Sequence, residues 1–176
     1  MDLIKESLST IIGVRFDKEL VLNIKNDIIK IDNVKGAYDL ILHDYGHNFS
    51  IGSVHIGVMD TLNANEIQRI ERQIMILMYQ KYNIIMTVGI YAVNSMDPHI
   101  TEMLEKVQNI IQNYSNILQI HGFYFDKQNS LCSLDLVISF DEKEPDIILH
   151  GVHSSLSDLY PDITFIVNND QDFTLS

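Results

Sequence analysis

Apolar positions along the chain switch between two periods, and each switch marks a new element. From Asp17 to Ile31, Leu20, Ile24, Ile28 and Ile31 recur at helical spacing behind a residue suited to cap the first turn. From Gly36 to Asp60 the pattern becomes alternation. Tyr38, Leu40 and Leu42 fall on one side of a first strand, with Asp39, Ile41 and His43 on the other. After a polar turn, a second strand buries Val54, Ile56 and Val58 and turns Ser53, His55 and Gly57 outward. Asn63 and Glu66 have the spacing of a capping box, opening a helix to about Tyr82 with Ile67, Ile70, Ile74, Leu77 and Met78 as its stripe. A strand over 84–93 completes the set.

The pattern then starts again. Asp97 and Pro98 suit the beginning of a helix whose stripe is Ile100, Met103, Leu104, Val107, Ile110, Ile111 and Tyr114. Strands are expected near 117–125 and 131–140. A helix from Pro145 carries Ile148, Val152, Leu156 and Leu159, and a last strand runs over 162–167. The order helix–strand–strand–helix–strand thus occurs twice, and the copies end alike, in Ala92-Val93-Asn94 and Ile166-Val167-Asn168. The predicted fold class is α+β: two tandem ferredoxin-like αββαβ repeats, each a small mixed sheet with helices on one face. The predicted bounds are a linker helix within 1–16 closed by Gly13, a first domain over 17–95 and a second over 96–176. A three-stranded sheet covered on one side buries little area, so the repeats are expected to pack together or dimerise.

Composition narrows the picture mainly by exclusion. Forty-six per cent apolar residues with twenty per cent charged is a globular balance. A net charge of −12 argues against nucleic acid and against anionic membrane surfaces, both of which need a basic footprint. The single cysteine, Cys132, excludes an internal disulfide and a multi-cysteine metal cluster. It is expected inside an apolar strand as a small buried hydrophobe. No apolar run approaches the ~20 residues that span a bilayer, so the chain is expected to be soluble. Neither a Gly-rich phosphate loop, a Gly-x-Ser-x-Gly elbow nor a His-Glu-x-x-His pair occurs, and an enzyme is not expected.

The histidines carry the candidate chemistry. Centring the first hairpin near Phe49 sets His43 opposite His55, with Cβ atoms roughly 5 Å apart, and two imidazoles on a polar sheet face can share a metal ion. Asp39, Asp44 and Glu66 are the nearby carboxylates that could complete that site. Centring the second hairpin on Gln128 sets His121 opposite Asp135, where an imidazole–carboxylate hydrogen bond competes with a metal. His150 and His153, near Asp146 and Asp158, read as a solvated helix face, and His47 and His99 as surface residues. Zinc would prefer the imidazoles, whereas manganese tolerates more oxygen ligands.

One stretch also carries a resemblance. Gly-Ala-Tyr-Asp-Leu-Ile-Leu-His-Asp-Tyr-Gly from Gly36, then Gly-Ser-Val-His-Ile ending at Ile56, and later Thr-Val-Gly-Ile-Tyr-Ala-Val-Asn from Thr87, resembles the cytoplasmic C-terminal domain of cation diffusion facilitator transporters. The resemblance covers residues 1–94, with a fainter echo from Val107 onward. It implies a regulatory, homodimerising domain that binds a divalent metal ion, zinc or manganese. It further implies a place on the cytoplasmic side of the cell membrane, fused in the full-length protein to a transmembrane efflux domain upstream of Met1. His55 matches a family position that ligates metal at the dimer interface. The chain departs from the family's pattern at Tyr38 and Gln68, where histidines are common, and at Tyr91-Ala92-Val93, where the family has His-x-Asp. Two other functions fit the same predicted fold. A stand-alone metal carrier would bind without dimerising, and a small-molecule sensor would ignore zinc.

Overall fold

A computed structural model describes residues 17–46, 49–93 and 97–170 of the chain. The linker helix expected within 1–16 lies outside them. The chain divides into two units, Met1–Ile90 and Tyr91–Ser176.

In the first unit, Asp17 accepts a hydrogen bond from the Glu19 amide and opens helix α1, Lys18–Ile29. Strands β1 (Gly36–Asp44) and β2 (Ser50–Met59) pair antiparallel. Helix α2 (Ala64–Tyr82) begins with the capping box: Asn63 accepts from the Asn65 and Glu66 amides, and Glu66 accepts from the Asn63 amide at 2.8 Å. Asn83, left-handed at φ 55°, ends the helix and hands the chain to β3 (Ile84–Val93). The sheet order is β1-β2-β3. Val21, Ile24 and Ile28 of α1 and Ile70, Ile74 and Met78 of α2 share one core with Leu40, Val54, Ile56, Ile84 and Met86. Both helices therefore cover the same sheet face, and the alternate strand positions look the other way.

The second unit repeats the scheme. Asp97 accepts from the His99 amide at 2.9 Å, Pro98 takes the first turn, and α3 runs Pro98–Ile111. Strands β4 (Ile117–Asp126) and β5 (Leu131–Ile138) are antiparallel. After α4 (Pro145–Leu159), β6 (Thr164–Asp170) joins β5 in parallel. Met103, Val107, Ile111, Ile148, Val152 and Leu156 pack on Cys132, Leu134, Leu136 and Phe165. Cys132 is fully buried, and burial pushes its thiol up to about 12. Leu159, expected in the α4 stripe, is instead 45% exposed. The fold is thus α+β, two tandem ferredoxin-like αββαβ repeats with mixed three-stranded sheets. Among the described residues, no helix is long and apolar enough to cross a membrane.

The first hairpin departs from the expected register. The Tyr45 amide donates to Phe49 and the Phe49 amide to Gly46, so the turn closes early and β2 starts at Ser50. His43 consequently faces Ile51, and His55 faces Tyr38. A bulge between Tyr38 and Ile41 adds a further offset, with Asp39 held at φ 52°. The second unit has a matching bulge between His121 and Tyr124, where Gly122 sits at φ 62°. Left-handed residues at such bulges increase local twist and re-aim the side chains beside them.

Candidate functional site

The bulge in β1 sets Asp39 and Leu40 against Val54 alone, because Tyr38 pairs with His55 and Ile41 with Ser53. Leu40 enters the core. Asp39 turns to the outer face, where its Oδ2 lies 2.9 Å from His55 Nδ1. Aspartate is among the residues that tolerate the left-handed region, so the site obtains this geometry at modest cost. The Asp39 side chain is 11% exposed and that of His55 42%, so the pair sits at the surface with its imidazole within reach of solvent. The ring lies over Gly89 on β3: a Cβ there would come within 2.2 Å of His55 Cδ2 and 2.5 Å of Nε2. Glycine at 89 therefore makes room for the imidazole.

His43 does not join this pair. Its partner Ile51 is four residues from His55 along β2, about 13 Å at strand rise. Donor atoms around one ion stand only about 3–3.5 Å apart, so His43 and His55 of one copy cannot share a metal. The early turn and the bulge are the cause. Two of the expected carboxylates serve backbone amides instead. Asp44 accepts from the Gly46 amide at 2.8 Å within the hairpin turn, and Glu66 closes the capping box of α2.

In the second unit, His121 faces Asp135 across β4 and β5. Its imidazole lies between two carboxylates: Asp135 Oδ2 is 3.9 Å from Nδ1, and Asp170 Oδ2 is 3.2 Å from Nε2. Asn168, opposite Asp135 on β6, donates to Asp135 Oδ1 at 2.8 Å and fixes that carboxylate. Gly122 makes room for it, since a Cβ there would meet Asp135 Oδ2 at 2.3 Å. Asp170 was not expected from the sequence, which ends the last strand at Val167. Its signal is the alternation itself: Asn168 and Asp170 occupy successive positions on one face of a strand that runs three residues further. His99, His150 and His153 are exposed, and His47 lies outside the described residues.

The two units thus hold the same pair with the letters exchanged. Aspartate is on the first strand and histidine on the middle strand in one, and the reverse holds in the other. Two ligand atoms each about 2.1 Å from a cation stand about 3.0 Å apart at a right angle and about 3.4 Å apart in a tetrahedron. The His121–Asp170 separation of 3.2 Å falls within that range, and the His55–Asp39 separation of 2.9 Å lies just below it, at hydrogen-bond length. Neither set is a closed zinc site, which takes four protein ligands. Each offers a cation two ligand atoms, short of a full shell.

Comparison with known proteins adds little to this geometry. No family model matches the chain, and no curated protein matches it. Among solved structures, "Crystal structure of APE1850" is similar over 85% of this chain and 96% of that one, at 18% identity and a TM-score of 0.26.

Proposed function

We propose that this chain is the regulatory and dimerising cytoplasmic part of a divalent-cation efflux transporter. The observation that carries the reading is the 2.9 Å contact between His55 and Asp39 on the outer sheet face. It falls in the stretch that resembles cation diffusion facilitator domains, and His55 stands at that family's ligating position. One imidazole and one carboxylate make half a shell, which suits an ion shared by two protomers. Zinc suits a shell with one imidazole from each, and manganese suits the same shell with more water. An ion bridging two copies stabilises their close arrangement by its differential affinity for that state, and so biases whatever is attached to them. It also offsets repulsion between two chains that each carry −12.

The test is to titrate zinc and manganese into the chain while following mass by sedimentation. Metal should double the mass, and His55→Ala should weaken binding about 10–100-fold and abolish the doubling. Binding by a chain that stays monomeric would favour a metal carrier. Indifference to both ions would favour a small-molecule sensor and end the transporter reading.

A further inference from the structure

We infer that the second repeat holds a divalent-cation site of its own, in which His121 Nε2 and the Asp170 carboxylate are the ligands and water fills the remaining positions. This site goes beyond the dimer-bridging role given to His55 and rests only on residues of the second unit. Three observations carry it.

The first is donor chemistry in a nearly buried place. The His121 side chain is 1% exposed and has a carboxylate near each ring nitrogen. Asn168 and the Tyr91 hydroxyl both donate to Asp135, so that carboxylate is held by its own donors, while Asp170 stands at the other ring nitrogen.

The second is distance. Nε2 and Asp170 Oδ2, 3.2 Å apart, span the gap expected between two ligands of one first-row ion. Asp135 lies on the opposite edge of the ring and cannot reach the same ion, so it flanks the ligand rather than joining it.

The third is access. Asp170 is 33% exposed at the end of β6, so an ion can enter past it with part of its water shell. One nitrogen with oxygen ligands and retained water is the donor set of an oxygen-tolerant ion such as Mn²⁺ rather than that of a closed zinc site.

The experiment measures Mn²⁺ binding to the intact chain from the loss of the resonance signal of the free aqueous ion. A chain carrying His55→Ala should still bind Mn²⁺. Adding Asp170→Asn should weaken that binding at least tenfold, with circular dichroism and melting unchanged, while Asp170→Glu should restore part of it. If His55→Ala alone removes all Mn²⁺ binding, the second site does not exist and the first stands. If binding survives His55→Ala but falls with Asp170→Asn, the second site stands, whatever becomes of the first. If Asp170→Asn and Asp170→Glu both bind as the parent does, His121 is simply an imidazole paired with two carboxylates and the inference is overturned.

Discussion

Gly89→Ala perturbs the proposed His55–Asp39 site without removing either side chain. The new methyl carbon would stand 2.2 Å from His55 Cδ2, against an ordinary contact of 3.4 Å or more, so the ring must retreat by at least 1.2 Å, the difference of those two distances. It has somewhere to go, because the His55 side chain is 42% exposed. That movement pulls Nδ1 off Asp39 and carries the imidazole away from the ion. The backbone at 89 is not left-handed, so alanine gains about 0.4–1 kcal/mol by restricting the unfolded chain. Loss of the partly buried Asp39–His55 contact costs about 0.5–1.5 kcal/mol in return. The two nearly cancel, and the melting temperature in chelator should move by no more than about 5 °C. Zinc affinity should fall about 10–100-fold, or roughly 1.4–2.7 kcal/mol, the range seen when the groups that orient a ligand are disturbed. Calorimetric zinc titration paired with thermal unfolding reads both quantities. Wild-type affinity in Gly89→Ala would show that the His55 ring, as positioned, does not bind the ion.

Two further predictions concern the scaffold. Asn63→Ala removes the side-chain half of the α2 capping box and should cost about 0.5–2 kcal/mol in chemical denaturation; no change would mean that the helix start is held by packing alone. Asp27, on α1, accepts from Lys81, from the Tyr82 hydroxyl at 2.6 Å and from Lys30, and these partners, Lys81 first, hold its carboxyl well below the usual range. A depressed folded-state value means that its contribution is complete above about pH 4, the unfolded value, and is lost as pH falls through the lower folded one. Asp27→Asn should therefore be less stable than the parent at pH 7, by about 1 kcal/mol, with the gap closing as a pH series descends below 4. A gap of equal size at pH 7 and pH 2 would refute the charge-based account.

Much of the fold was readable because two periodicities and a handful of caps agree. Asn63 with Glu66, and Asp97 with Pro98, mark helix starts in the chain and in the structure alike, since a cap is a local event decided by adjacent residues. The core positions Val54, Ile56 and Val58 follow from alternation for the same reason. Register was less legible. Gly52 reads as part of a turn, yet it lies inside β2 opposite Leu42, where the Leu42 side chain and the Ile41 carbonyl approach too closely for a Cβ. The bulge at Asp39 leaves no trace in an apolar–polar pattern, because an aspartate in the left-handed region looks like any other outward residue. These two effects moved His55 from His43 to Asp39. The second hairpin shows the expected His121–Asp135 pairing only because the bulge on its turn side shifts the register set by Tyr124 and Ser133 by one residue, without which His121 would face Leu136. Asp170 escaped because polarity at the end of β6 resembles a tail until the ladder with β5 is traced.

The left-handed residues at 39 and 122 have a consequence for behaviour in concentrated solution. Each sits on an outer strand of its sheet, β1 or β4, and among the described residues no strand of that sheet lies on its far side. A straight outer strand offers a regular row of amides and carbonyls on which another chain can template, and a bulge breaks the spacing of that row. Sheet extension between copies along these two strands is thereby discouraged. The same kink that turns Asp39 towards His55 thus also guards the protein against fibril-like growth from that side.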